Sequence, residues 1–351
     1  MPAHEHTGGS ETQRGTLVAR AFLRQGVLTF FLCTGERTLA VGGARDSDGA
    51  GLGYLTAPSA SPGHILRPSS LFLQPGNVRK RSFEGSFDLH WANVWCYDRE
   101  HYLFDGEWIR ADTRIQYGLT DSLSAGLVLP VMGRTGGFAD SMIEGFHKTF
   151  DMDNANREQF PRDRSRVSVT REDGTARNVV AGDSWGVGDV AFFAILKRPD
   201  LWVAPSVMIQ CSLPTGDEDE LEGLGSPSIS VSTVGNRRIG KSPVHAFAGV
   251  GVSYCPEDGP AGIELNPVIY SGLFGLECHL APRWSLVTQM LSSSPPAEDF
   301  GEFSDSCHEL SVGCKWRTGD AAVLELTFVE NVLTFDNSSD IAMHFSIGRR
   351  L

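Results

Sequence analysis

The sequence predicts an all-β protein, a single closed antiparallel transmembrane β-barrel of about 12 strands with one long loop carrying a short helix. Three observations carry this. The stretch from Asp340 to Leu351 reads D-I-A-M-H-F-S-I-G-R-R-L, with Ile341, Met343, Phe345 and Ile347 alternating with Ala342, His344, Ser346 and Gly348. A strand at this place needs backbone partners on both sides, and closure is the all-β solution that leaves no free edge. The same two-residue period returns in segment after segment from about Arg81. Finally, 41% of the 351 residues are hydrophobic, yet no run approaches the roughly 20 apolar residues of a membrane-spanning helix. Barrel strands need only about 9–11 alternating residues, half of them polar.

Taken in order, residues 1–44 read as a degenerate signal peptide or mis-started leader. Arg20 and Arg24 precede the apolar run Gly26 to Cys33, and Gly42-Gly43-Ala44 makes a small-residue cleavage site. Residues 45–70 are expected to be a flexible segment, and 71–351 the barrel. The first strand places Phe83, Gly85, Phe87, Leu89 and Trp91 on one face and Glu84, Ser86, Asp88 and His90 on the other. In the second, Ile109, Ala111, Thr113, Ile115 and Tyr117 oppose Trp108, Arg110, Asp112, Arg114 and Gln116. Three charges on one strand face do not enter a dry core unpaired. A polar barrel interior accepts them, with Glu84 and Asp88 as partners for Arg110 and Arg114. The third strand alternates Leu123, Ala125, Leu127, Leu129 and Val131 with Ser122, Ser124, Gly126 and Val128.

From 133 to 188 the alternation fails. Phe138, Met142, Ile143, Phe146 and Phe150 stand at helical spacing, which predicts a short amphipathic helix inside a long loop. Folded inward, that loop would narrow a pore with Phe138, Asp140, Glu144 and His147. The later strands are expected at Val190 to Leu196, Leu201 to Leu213, Ile229 to Val234, His245 to Tyr254, Gly262 to Gly272, Leu273 to Leu280, Trp284 to Leu291, His308 to Trp316, Ala321 to Val329, and the terminal segment. Trp91, Trp95, Tyr97, Tyr102, Trp108, Trp185, Trp202, Trp284 and Trp316 fall near strand ends, as an interfacial girdle or as packing aromatics.

The formal charge of -13 argues against nucleic acid as a partner, since phosphate binding needs a basic face. The acidic run Asp217 to Glu222 reads as a solvated loop, with a divalent-cation site or a charged pore mouth as the sharper alternative. The seven cysteines show no C-x-x-C and no zinc-site spacing with histidine, so no metal and no cofactor is expected.

Several short motifs occur in order: Asp105-Gly106-Glu107, Gly136-Gly137-Phe138-Ala139-Asp140 with Ile143 and Phe146-His147, Gly186-Val187-Gly188-Asp189, and Leu213-Pro214-Thr215-Gly216-Asp217. This arrangement resembles a family of uncharacterised proteobacterial outer-membrane β-barrel proteins. More distantly, the G-x-G-D and L-P-T-G-D pair is similar to that of outer-membrane channels linked to hydrocarbon and phenol catabolism. The resemblance implies the outer membrane of a Gram-negative bacterium, with outer-membrane lipids, the barrel-insertion machinery and an unknown small solute as partners.

The first functional expectation is a channel or transport-related protein, not an enzyme, its pore lined by Glu84, Asp88, His90, Arg110, Asp112, Arg114 and His344. The alternative is a non-conducting barrel whose inward charges hold it together or hold a ligand. A membrane-embedded lipid-modifying enzyme would need His147 with Asp140 and Glu144, or His308 with Ser306 and Asp305, and no nucleophile motif accompanies either.

Overall fold

The computed structural model describes residues 51–65, 67, 78–151, 155–170, 176–255, 259, 263–318, 322–333 and 337–350. The leader expected over 1–44 lies outside them. The strands are β1 (Phe83–Asp98), β2 (Tyr102–Gly118), β3 (Leu123–Thr135), β4 (Arg166–Thr170), β5 (Ala176–Ala181), β6 (Ser184–Val187), β7 (Ala191–Lys197), β8 (Ser206–Ser212), β9 (Ser228–Arg238), β10 (Val244–Tyr254), β11 (Val268–Ala281), β12 (Trp284–Ser293), β13 (Cys307–Thr318), β14 (Ala322–Asn331) and β15 (Ile341–Arg350). Two α-helices accompany them, α1 (Pro62–Ile65) and α2 (Asp140–Phe150). No helix among the described residues is long and apolar enough to cross a membrane.

β1, β2, β3 and β7 to β15 form a closed antiparallel barrel of 12 strands. The seam is the pairing of β1 with β15, in register from Glu84 opposite Arg350 to Asn93 opposite Ile341. The terminal alternation thus does what the edge argument requires, because β15 pairs with β14 on its other side. Ala342, His344 and Ser346 are buried toward the lumen, while Met343, Phe345 and Ile347 are exposed. The same parity holds around the barrel. Phe87, Leu129, Phe192, Ile209, Val231, Val250, Phe274 and Phe328 are exposed on the outer surface, an apolar band of the kind a bilayer covers.

Two expectations change. The two strands expected on either side of Gly272 are one strand, β11, which runs from Val268 to Ala281. Gly272 stays in the ladder opposite Val250 and Ser292 and turns nothing. The long loop is also not free of strands. β4 and β5 form a hairpin on the start of β2, and β6 pairs with the end of β3, so the wall rises higher on this side.

The segment expected to be flexible is the largest departure. Residues 51–65 and Arg67 lie inside the barrel, running from its short-turn end, where Leu52 meets β11, to the long-loop end, where Arg67 bonds the carbonyls of Asn266 and Pro296. Tyr54 and Leu55 pack with Val234, Phe247, Leu273 and Val287. Ala57, Ala60 and Ile65 join the upper cluster with Ala92, Val94, Phe104, Trp108, Phe303 and Ala342. Burial of Leu55 and Ile65, both essentially inaccessible, is worth about 1.5–3 kcal/mol each. That gain, repeated along the segment, offsets the entropy of ordering it.

Candidate functional site

The inward rows of β11 to β15 are shaped to receive this luminal segment. The carboxylate of Glu277 accepts the N–H groups of Leu52 at 2.7 Å and Gly53 at 3.0 Å. Gly53 takes φ 86°, a conformation that favours glycine. Gln289 accepts the N–H of Leu55 at 2.9 Å and donates to its carbonyl at 3.2 Å, as a neighbouring strand would. Glu325 accepts from the Thr56 N–H at 2.8 Å and holds Lys315 at 3.0 Å. Lys315 in turn donates to the carbonyls of Leu52 and Tyr54. Glu309 accepts from the Ala60 N–H and the Ser338 hydroxyl, both at 2.8 Å. A segment without a strand ladder still needs its backbone groups satisfied, and buried charges need partners. Each requirement is met by the other. On β13, Gly313 makes room: a Cβ there would stand 2.8 Å from Leu55 Cδ2.

The opposite wall is built differently. A cavity beside the segment is lined by Thr56, Pro58, Asp88, His90, Arg110, Asp112, Arg114, Val128, Gln210 and His344. Six of the seven residues expected to line a pore therefore come together here. Glu84 does not, being half-buried nearer the short-turn end, opposite Gln116 and Arg350. The expected cross-strand ion pairs are replaced by a pair along one strand, Arg110 with Asp112 at 2.9 Å. The reason is register: Asp88 faces Asp112 and Ser86 faces Arg114, so carboxylates and guanidinia do not sit opposite each other. Arg110 also donates to the carbonyl of Ile65 at 3.0 Å, tying α1 to the wall. Thr56 Oγ1 and His344 Nε2 share a hydrogen bond of 3.0 Å. Both ring nitrogens of His90, one terminal nitrogen of Arg114, Asp88 Oδ1 and Gln210 Oε1 are buried with no hydrogen-bond partner. Such atoms are rare without a ligand or water to meet them. All belong to residues that line this cavity.

A second, apolar pocket lies at the long-loop end, lined by Pro62 and Gly63 of the segment and by Phe104, Trp108, Leu221, Leu224, Ile263, Leu265, Pro296, Ala297, Phe300 and Phe303. The luminal segment separates it from the polar cavity.

Among the described residues, the α2 part of the long loop does not enter the lumen. It packs on the outward faces of β1 and β2: Phe138 stacks on Trp91, and Glu107, the last residue of the Asp105-Gly106-Glu107 motif, accepts from the N–H groups of Phe138 and Ala139 and from the Trp91 indole. Asp140 accepts from the Asp163 N–H at 2.7 Å and lies 3.5 Å from Arg157. Glu144 pairs with Arg162. Arg157 also bonds Asn93 and Asp340, and it covers the ring of Trp95. Burial pushes the Asp340 carboxyl above the usual carboxylate range, with Arg157 opposing the shift. His147 is half-buried on α2, on the same outer side. The constriction expected of Phe138, Asp140, Glu144 and His147 is thus corrected: the strands here extend past the band, and their outward polar residues need a cover.

The recurring motifs lock to each other. Asp189 of G-V-G-D accepts the N–H groups of Thr215, Gly216 and Leu224 at 2.9–3.0 Å. Thr215 of L-P-T-G-D donates its hydroxyl to Gly188 O at 2.8 Å. In the acidic run Asp217 caps its own turn, Glu220 meets Arg134 and Glu222 accepts from Ser184. Its carboxylates serve the turn. The aromatics divide: Trp95, Tyr102 and Trp108 are buried, whereas Trp185, Trp202, Trp284 and Trp316 are exposed. His308 bonds Ser292 across the β12–β13 pair at 2.9 Å.

Fold and lumen together define a closed 12-strand antiparallel β-barrel with a segment of its own chain inside. The chain belongs to a family of proteins of unknown function, DUF3187, whose model matches residues 38–351. No curated protein matches it. Among solved structures it is similar to the COG4313 outer membrane channel from Pseudomonas putida F1, with 13% identity over 80% of this chain and 100% of that one, at a TM-score of 0.52. Weaker likenesses are the NanC porin (7% identity, 77% and 100% covered, TM-score 0.42) and the Ralstonia pickettii toluene transporter TbuX (8% identity, 83% and 97% covered, TM-score 0.41). At these identities the likeness is one of fold.

Proposed function

We propose that this protein is a gated channel of the Gram-negative outer membrane for a small solute, held closed by its own residues 51–65 and Arg67. The observation that carries the reading is the pair of pockets on either side of one segment. Pro62 and Gly63 line the apolar pocket at the long-loop mouth, and Thr56 and Pro58 line the polar cavity below it. A solute moving between them has to displace Pro58 to Ile65, which one wall holds through Ile65 O and Arg110. The aromatic lining of the outer pocket suits an apolar or aromatic solute, and the polar cavity suits a molecule or ion that crosses in water. Phe138, Met142 and Phe146 of residues 138–150 are exposed, as are Trp185 and Val187, which suits the lipid boundary.

A closed scaffold is the second reading, favoured by the entry of the segment into both apolar clusters. Bilayer conductance separates the two. The wild-type barrel should open in brief, small steps, and the double variant Glu309→Gln with Glu325→Gln, which weakens the grip on Ala60 and Thr56, should open longer and wider. If neither conducts while both keep the heat-dependent gel mobility of a folded barrel, the channel reading fails and the scaffold reading stands.

A further inference from the structure

We infer that His245, Glu277 and His279 form a binding site for a divalent transition-metal ion of the zinc type, placed where the luminal segment enters the barrel. His245 on β10 and Glu277 on β11 are direct partners across the ladder, and His279 is the next residue of β11 with the same inward parity. Three side chains so placed stand on one face of two adjacent strands, within reach of a common point. Their ligand atoms all lie within 4.8 Å of one another, the one such group among the described residues.

The detailed geometry is that of a metal site more than of an ion pair. His279 Nε2 stands 3.4 Å from Glu277 Oε1, yet it makes no hydrogen bond. Ligands about 2.0–2.2 Å from a tetrahedral metal are themselves about 3.3–3.6 Å apart. The separation is therefore one edge of such a tetrahedron. The other nitrogen, His279 Nδ1, lies 3.4 Å from the Ser285 hydroxyl. A proton on Nδ1 would donate to that hydroxyl and leave Nε2 free to ligate, the usual arrangement behind a metal-bound histidine. The imidazoles of His245 and His279 meet edge to face at a centroid distance of 5.1 Å, as two rings converging on one ion do. Two imidazoles and a carboxylate suit zinc and its neighbours more than calcium or magnesium.

Glu277 gives the site its meaning. Its oxygens already accept the N–H groups of Leu52 and Gly53, and an ionised carboxylate has lone pairs left for a metal. A bound ion fixes the side chain that grips the foot of the segment. This consequence concerns the segment's anchorage and does not depend on whether the barrel conducts.

The test is a titration of folded, detergent-solubilised protein with Zn2+ alone, and with Co2+ for its ligand-field spectrum. One equivalent is expected, with a tetrahedral Co2+ band. His245→Ala and His279→Ala should each weaken Zn2+ binding by at least about tenfold, while His308→Ala leaves it unchanged. Zn2+ should also slow thiol labelling of a Leu52→Cys variant. Wild-type-like Zn2+ affinity in both ligand variants overturns the site, and so does an octahedral Co2+ spectrum. Should either alanine variant lose its heat-dependent gel shift, the His279→Gln variant, with the same criterion, replaces it.

Discussion

On β11 to β14 the buried inward charges meet backbone; on β1 to β3 they meet a cavity. Glu277, Glu309 and Glu325 each accept at least one N–H of the luminal segment, and Lys315 caps two of its carbonyls. Across the lumen, His90, Arg114 and Asp88 present atoms that no protein group satisfies. Both walls obey the same alternation and the same burial. The difference lies in what the lumen holds beside each. One wall is engaged mainly in holding the chain, and the other, which grips it through Arg110 and Ile65 O, is left with capacity to bind something else.

That comparison breaks first at Lys315. Lys315→Met removes the ammonium group beside buried Glu325 and uncaps two carbonyls, so stability should fall by about 3–5 kcal/mol, read as a lower temperature for the heat-dependent gel shift. An unchanged transition would mean that the segment is not held from this wall. Next comes Gly313→Val. Its added atoms would meet Leu326 O, Thr327 Oγ1 and Leu55 Cδ2 at 2.7–2.8 Å. The expected cost is about 1–3 kcal/mol, with earlier proteolysis within residues 51–67; equal protease resistance would show that Leu55 does not seat there. The smallest effect is expected on the other wall. Arg114→Gln should change stability by no more than about 0.5 kcal/mol and shift ion selectivity toward cations in bilayers. If it destabilised the barrel as much as Lys315→Met, the two walls would be structurally alike.

The barrel was legible because its signal is local. Alternation at Ile341 to Ile347 and at Phe83 to Trp91 needs no partner to be seen, and it correctly assigned the faces of both seam strands. The polar cavity was legible for the same reason, since Asp88, His90, Arg110, Asp112, Arg114 and His344 were identified as inward from their phase alone. Their pairing was not, because it depends on register, which brings Asp88 opposite Asp112. The luminal segment was hidden more deeply. Leu52 to Ala60 carries no period, and its partners on the strands stand 224 to 288 positions away. Glu277, Glu309, Lys315 and Glu325 did carry a signal, each being a charge in the inward phase of a strand, and reading every strand for that feature would have found them. His245, Glu277 and His279 escape spacing rules because two strands, not one motif, bring them together.

The bonds of the luminal segment also constrain the order of assembly. Apart from Arg110 on β2, the strand side chains that bond it lie in β11 to β15, on the far side of the sequence, and the segment is followed by β1, the strand that closes the seam. An open sheet of the C-terminal strands exposes Glu277, Gln289, Glu309 and Glu325 to a chain arriving from the side, whereas a finished barrel admits one only endwise. Contacts of such long sequence separation form slowly. The direct route is for the segment to dock on the curved C-terminal sheet while β1 is still free, so that zipping of Phe83–Asp98 onto Ile341–Arg350 becomes the last step, sealing the barrel around an occupant already in place.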